Sequence, residues 1–329
     1  MTEEKSSFIQ KTKNIGKLLI DSVNGFLDDG CMRMSASLAY YTVFSIGPLI
    51  IILIWGLGFF YEQSLAQPGD AESQVMAELT AVFGEDISNL LESAIQKISL
   101  ENKSGIGILI GIGTLIATST TIFIDIQKSL NEIWRIKPKP KKGWLKMIVN
   151  RVISFSMILG LSFLLMASLI LSSLLGALTN YIEKYFDFLN ISLISMVNTG
   201  ITFLVITVLF GGIYAFLPDA KIRFKNIIGG AIFTALLFMI GKYLISFYLM
   251  NNATASAYGA AGSVIALLAW VYYSAAILYF GAEFTKQYAV RYGEQIEPAP
   301  FAVLVTQTEV EKPGEKIDDQ TLEQEKKKK

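Results

Sequence analysis

Six long apolar stretches divide this chain, at about Ser35–Phe60, Gly105–Ile126, Val152–Leu178, Ser192–Leu217, Ile227–Met250 and Ala260–Phe284. Each reaches the roughly 20 residues that a helix needs to cross a bilayer. Lipid offers no partner to an unpaired backbone amide, so a spanning segment in this pattern is helical. The third stretch is long enough to tilt or to extend past the hydrocarbon. The second is rich in Gly, Thr and Ser, and the sixth carries Tyr272, Tyr273 and Ser274 in its middle.

Between these stretches the pattern changes to a helical period with one apolar face. Ile15, Leu18, Leu19, Val23, Phe26 and Leu27 recur at helical spacing, which predicts an amphipathic helix on the membrane surface before the first span. The long connection over 61–104 carries Val75, Leu79, Val82 and Phe83, then Ile87, Leu90, Leu91, Ala94, Ile95 and Ile98. That reads as two amphipathic helices broken at Gly84, with Asp86 or Ser88 starting the second. Beyond Glu294 the chain turns to Pro, Glu, Gln and Lys, which predicts a tail without regular structure. The expected organisation is a cytoplasmic amphipathic segment over 1–34, a six-helix membrane domain over 35–284 and a largely disordered cytoplasmic tail over 285–329. The fold class is all-α, a polytopic membrane bundle with amphipathic interfacial helices.

The basic residues fix the orientation, because cytoplasmic loops retain positive charge. Lys5, Lys11, Lys13, Lys17 and Arg33 precede the first span. The second inner loop (127–151) holds Lys128, Arg135, Lys137, Lys139, Lys141, Lys142 and Lys146, with Arg151 at its edge; the third holds Lys221, Arg223 and Lys225. The alternate loops carry only Lys97, Lys103 and Lys184. Six spans put every basic segment on one side, with both termini in the cytoplasm of a plasma (inner) membrane.

Composition sharpens this reading. Hydrophobic residues make up 52% of the 329 and charged residues 17%, against about 25% charged in an ordinary soluble domain. The chain has no histidine and one cysteine, Cys31. An internal disulfide is therefore impossible, and zinc ligation by thiol or imidazole has no ligand set. No Walker loop, Ser-His-Asp arrangement or HExxH motif is present. No cofactor or metal is expected, and no enzymatic activity. Met1 to Asp29 lacks an apolar core ending in a cleavage site, so the first apolar run is expected to be retained.

Candidate chemistry lies inside the apolar stretches. Thr114, Thr118, Thr121, Asp125, Lys128 and Glu132 fall four and three residues apart, on one helical face. Such a stripe faces other helices or a wet cavity rather than lipid. Two readings stand: a path for substrate or water, or threonines bonded to their own backbone with Asp125 at headgroup depth beside Lys128. Lys242 lies within the fifth span, where it either snorkels outward or points inward to an anionic headgroup or carboxylate. Glu283, at the inner end of the sixth span, is too far from Lys242 to pair and is expected near Arg33, Lys128 or Asp125. Pro48 removes a backbone hydrogen bond and should kink the first span, a candidate hinge. Gly105, Gly107, Gly111, Gly113, Gly211 and Gly212 point to close helix packing, with a gating hinge as the alternative. The basic run Lys137–Lys142 fits the positive-inside pattern, with anionic lipid or RNA as the alternatives; no nucleic-acid partner is expected.

Several stretches carry a family resemblance. Ala36-Ser37-Leu38-Ala39-Tyr40-Tyr41-Thr42-Val43-Phe44-Ser45-Ile46-Gly47-Pro48-Leu49 resembles the first-span signature of the bacterial YihY/BrkB family. Leu130-Asn131-Glu132-Ile133-Trp134-Arg135-Ile136, Leu217-Pro218-Asp219 with Lys221-Ile222-Arg223-Phe224-Lys225, Gly241-Lys242 and Phe247-Tyr248 follow in the family's order. So does Tyr258-Gly259-Ala260-Ala261-Gly262 through Trp270-Val271-Tyr272 to Gly281-Ala282-Glu283. The resemblance covers roughly Asp21–Arg291. It implies a bacterial inner-membrane protein with six spans and cytoplasmic ends. It also carries a ribonuclease BN label, a role in resistance to serum killing and, for some relatives, a suspected part in moving envelope lipids. A chain without histidine or a metal-ligand constellation gives RNA hydrolysis little to stand on. The expected function is transport, or assistance to transport, of an amphipathic envelope molecule such as a lipid. A scaffolding protein that docks a periplasmic partner through 61–104 is the alternative, and membrane lipids are the expected partners in either case.

Overall fold

A computed structural model describes residues 2–43, 113, 121–139, 191–251, 260–292 and 296–306. Six helices run through these residues: α1 (Thr2–Asp28), α2 (31–43), α3 (121–133), α4 (Ile191–Phe216), α5 (Phe224–Asn251) and α6 (Ala260–Arg291). Four short strands accompany them: β1 (Ile136–Pro138), β2 (Ala220–Lys221), β3 (Glu297–Pro298) and β4 (Ala302–Leu304). The three last helices coincide with the fourth, fifth and sixth apolar stretches. Each contains a window long and apolar enough to cross a membrane: Thr199–Phe216, Phe224–Ile245 and Val264–Arg291.

The outer surface explains why water is not the solvent here. On α5, Ile228, Ile232, Leu236 and Ile240 are exposed at a spacing of four, and Leu204 and Val208 do the same on α4. A continuous apolar strip of this size is foreign to a soluble surface and natural against lipid tails.

Inward, α5 and α6 pack through a reciprocal pair of small residues. Thr234 donates to the Gly230 carbonyl and Thr285 to the Gly281 carbonyl, each at 2.7 Å, so both hydroxyls are satisfied within their own helices. A Cβ added at Gly230 would run into Thr285, and one at Gly281 into Thr234 and the Tyr214 hydroxyl. Farther along the same contact, a Cβ at Gly241 would strike the Tyr273 ring. Backbone proximity of this kind is how helices gain dispersion energy where lipid removes the hydrophobic drive. The glycines of the fourth stretch contribute less than their sequence suggests. Gly211 has ordinary contact with Ala231, while Gly212 and Gly113 have nothing within 4 Å of a built Cβ. Gly105, Gly107 and Gly111 lie outside the described residues.

Several polar groups at the middle of α6 find partners inside the bundle. Ser274 donates to the Trp270 carbonyl at 2.9 Å. Tyr214 of α4 donates to the Leu278 carbonyl at 2.7 Å, and Trp134 Nε1, at the end of α3, donates to the Ala282 carbonyl at 3.1 Å. These two bonds, four residues apart on α6, tie α3 and α4 to it.

At one end of the bundle the chain turns sharply. Gly30, at φ 66°, closes α1 and starts α2 in two residues, a left-handed position that suits glycine. Arg135, at φ 58°, turns α3 into β1. The segment after α6 then returns: β4 pairs antiparallel with β1 (Lys137 opposite Val303), and β3 with β2 (Lys221 opposite Glu297). The expected unstructured tail therefore begins with a clasp over 296–306 that links the exits of α3 and α4; residues 307–329 lie outside the described residues. α6 likewise continues to Arg291, beyond the Phe284 limit that hydropathy suggests.

Candidate functional site

α1 lies lengthwise on the last turns of α6. Phe26 meets Phe280 edge to face, Gly25 lies against the Glu283 carboxylate, and Arg291 reaches Asp21 at 3.3 Å and the Asn14 carbonyl. Leu18 and Ser22 are buried on this face. Ile15, Leu19, Val23 and Leu27 form an exposed stripe on the other. The amphipathic pattern is thus divided between a protein contact and an open apolar face.

The turn at Gly30 throws Asp29 inward, where its side chain is only 1% exposed. Its two oxygens are taken by Arg135 at 2.5 Å and Lys286 at 3.0 Å. Lys286 also donates to Glu283 Oε1 at 3.1 Å. A chain of ionisable side chains, Arg135–Asp29–Lys286–Glu283, therefore joins α3, the α1–α2 turn and α6. Burial of Asp29 is tolerable because both of its oxygens meet cations, whereas Glu283 Oε2, also buried, completes no hydrogen bond among the described residues. Cys31 sits beside this chain, fully buried. Burial first, then the nearby Glu283 and Asp29 carboxylates, push its thiol up to about 12. A second polar knot joins α3 to the exit of α4. Asn131 donates to Asp219 Oδ2 at 2.9 Å and accepts from the Asp219 amide at 2.8 Å.

Deeper in the bundle a polar seam runs between α2, α3 and α6. Ser37 faces the Asp125 carboxylate from α2. Asp125 Oδ2 is buried and has no hydrogen-bond partner among the described residues. Across from it the Tyr279 hydroxyl of α6, likewise buried, faces Ser129 and Asp125 without completing a hydrogen bond to either. Each unsatisfied buried group costs about 1–3 kcal/mol, so this seam works against stability.

The residues singled out by sequence fare differently. Asp125 and Lys128 lie on described α3, half-buried and exposed respectively, and Glu132 is exposed. Thr121 is exposed at the start of described α3, whereas Thr114, Thr118 and Pro48 lie outside the described residues, as does 61–104. Glu283 is brought to Lys286 and the Asp29 turn rather than to Arg33 or Lys128, because α1 fills that side of α6. Arg33 instead meets Glu132 at 3.7 Å, with both side chains exposed. Lys242 is half-buried next to Gly241, level with Tyr273. Glu283 lies ten residues farther along α6, roughly 15 Å at 1.5 Å per residue. Asp29, Arg135, Lys286 and Tyr279 were not visible as site residues. Only the spacing of three between Glu283 and Lys286 gave a local signal for one of these contacts.

The chain matches the family model described as virulence factor BrkB over residues 22–303. It is 28% identical to a UPF0761 membrane protein of Psychromonas ingrahamii, covering 75% of this chain and 79% of that protein. A UPF0761 membrane protein of Pseudoalteromonas atlantica is also 28% identical, over 83% of this chain and 86% of its own length. One from Alcanivorax borkumensis is 25% identical, over 82% of this chain and 59% of its own length. None of these names specifies an enzymatic activity. No solved structure matches the chain significantly. The match across the α1–α6 framework and the clasp, set beside the lipid-facing surface of the last three helices, makes this chain a membrane protein of the BrkB virulence-factor family.

Proposed function

We propose that this protein moves, or helps to move, an amphipathic envelope molecule, a lipid, at the bacterial inner membrane. Its charged end, with Asp29, Arg135 and Lys286, faces the cytoplasm. The observation that carries the reading is the unsatisfied seam of Asp125 Oδ2 and the Tyr279 hydroxyl inside a bundle whose exterior is apolar. Lipid transfer requires a polar route for the headgroup and an apolar opening for the tails. The seam supplies the first, and the exposed aliphatic strips on α4 and α5 supply the surroundings of the second. Lys242, half-buried in α5 at the level of Tyr273, is a second contact for an anionic headgroup on the opposite half of the path.

The test is lipid movement between leaflets of proteoliposomes, followed with headgroup-labelled reporters. Asp125→Asn removes a charge-assisted acceptor worth about 1.5–3 kcal/mol, so movement should slow roughly 10–100-fold. Lys242→Ala should slow it as well. Wild-type protein that neither binds nor moves any lipid, together with a silent Lys242→Ala in cells, would end this reading.

A further inference from the structure

We propose that the basic hollow where α3 runs into β1 is a binding site for the phosphate of an anionic lipid headgroup. The inference rests on the lipid reading above and gives it a recognition element. A cavity of about 270 Å³ opens here, lined by Lys128, Asn131, Glu132, Arg135, Lys137 and Val305 among others. Three cations and one carboxylate face it. Arg135 is held by Asp29, Glu132 lies 3.7 Å from Arg33, and the Asn131 amide is engaged by Asp219. The ammonium groups of Lys128 and Lys137 make no ion pair among the described residues, and both side chains are exposed. Two like charges on the rim of one concavity repel each other, and an anion seated between them relieves that repulsion.

The walls are firm, because they are backbone. Val305 N–H donates to the Arg135 carbonyl at 2.8 Å, and Lys139 N–H to the Phe301 carbonyl at 2.8 Å. The clasp therefore completes the hollow with residues from the far end of the chain. Its volume lies just below the usual range for small-molecule pockets, about 300–1,000 Å³. That suits a headgroup whose acyl chains remain outside.

Position selects lipid over a soluble phosphate. Tyr40 and Tyr41 are exposed on α2 about one turn beyond Ser37, which faces Asp125. Exposed aromatics of this kind mark the membrane interface. Lys128 is three residues along α3 from Asp125, roughly 5 Å toward the charged end. The hollow therefore sits at headgroup depth, where basic pockets between membrane helices hold anionic headgroups.

The experiment uses the full-length protein in phosphatidylcholine nanodiscs, titrated with a fluorescent short-chain phosphatidate. The double variant Lys128→Gln/Lys137→Gln should weaken binding at least about tenfold, the loss of two charge-assisted contacts. Lys221→Gln/Lys225→Gln, which removes two charges elsewhere on the same end, should leave it within about twofold, the scale of screened rim charges. Equal losses in both double variants, or no loss in the first, would overturn the site. Displacement of the lipid probe by inorganic phosphate or glycerol 3-phosphate at equal concentration would assign the site to soluble anions and overturn the lipid source. Binding and lipid movement are read separately on the wild-type protein. Retained binding in a protein that moves no lipid would thus preserve this site and refute the transport reading alone.

Discussion

Replacing Asp29 by alanine removes the carboxylate on which the charged end of the bundle converges. Its side chain is 1% exposed and touches Arg135 at 2.5 Å and Lys286 at 3.0 Å. Removing one partner of a buried ion pair costs about 3–5 kcal/mol, because the remaining charge stays in a poor solvent. Arg135 is 32% and Lys286 15% exposed, so water reaches part of both cations. The expected loss therefore lies at the low end, about 3 kcal/mol, or roughly 100-fold in the folding equilibrium. Equilibrium unfolding in mixed micelles with increasing SDS, read by tryptophan fluorescence, measures it; Trp134 reports from the adjoining core. Arg33→Ala is the internal control. Its contact with Glu132 spans 3.7 Å between side chains 78% and 45% exposed, and such surface pairs contribute about 0–1 kcal/mol. A double-mutant cycle should give Asp29 a stronger coupling to Lys286 than to Arg135, since Lys286 is the less exposed of the two. Equal shifts for Asp29→Ala and Arg33→Ala would show that the cluster is solvated and would refute the argument.

The Cys31 thiol, held near 12 by burial, stays protonated at pH 8, so an alkylating maleimide should label it only after SDS unfolding; stoichiometric labelling of the native protein would contradict its burial. Gly281→Val drives a side chain into Thr234 and Tyr214 and should cost about 1–3 kcal/mol or more in the same SDS assay. Gly212→Ala, with open space around it, should be neutral within about 0.5 kcal/mol, the range for substitutions away from packed features. Val305→Pro deletes the amide that donates to the Arg135 carbonyl and should loosen the clasp. Limited trypsin digestion should then cut after Arg135 faster than in the wild type, because the Lys137 and Lys139 bonds to Pro138 and Pro140 resist the enzyme; an unchanged rate would show that the clasp does not protect this segment.

Much of the helical framework is legible in hydropathy, because a long apolar run has one stable conformation in lipid. The stretches placed at Ser192–Leu217 and Ile227–Met250 match α4 and α5 to within a few residues. What hydropathy does not resolve is which apolar environment a side chain meets. Leu18 and Phe26 pack on protein while Ile15, Leu19, Val23 and Leu27 do not, yet all six have the same preference for leaving water. The clasp was illegible for a different reason. Strand pairing between Lys137 and Val303 is non-local, and neither segment is long enough to show a period of two. Long-range ion pairs share that difficulty: Asp29 and Lys286 are 257 residues apart, and no spacing rule connects them. Gly230 and Gly281 do not stand out in the sequence, which shows that a residue is small, not what crosses it; they matter through Thr285 and Thr234. At the seam, α3 was found through the face shared by Asp125 and Lys128, while Tyr279 looked like one aromatic among many.

Every role assigned here depends on the charged end of the bundle lying in the cytoplasm. Cysteine accessibility in intact cells tests this directly, with Lys137→Cys and Lys225→Cys each placed in a Cys31→Ser background. A membrane-impermeant maleimide should label neither position until the cells are permeabilised. Labelling of either one in intact cells would place that connection outside and contradict the account.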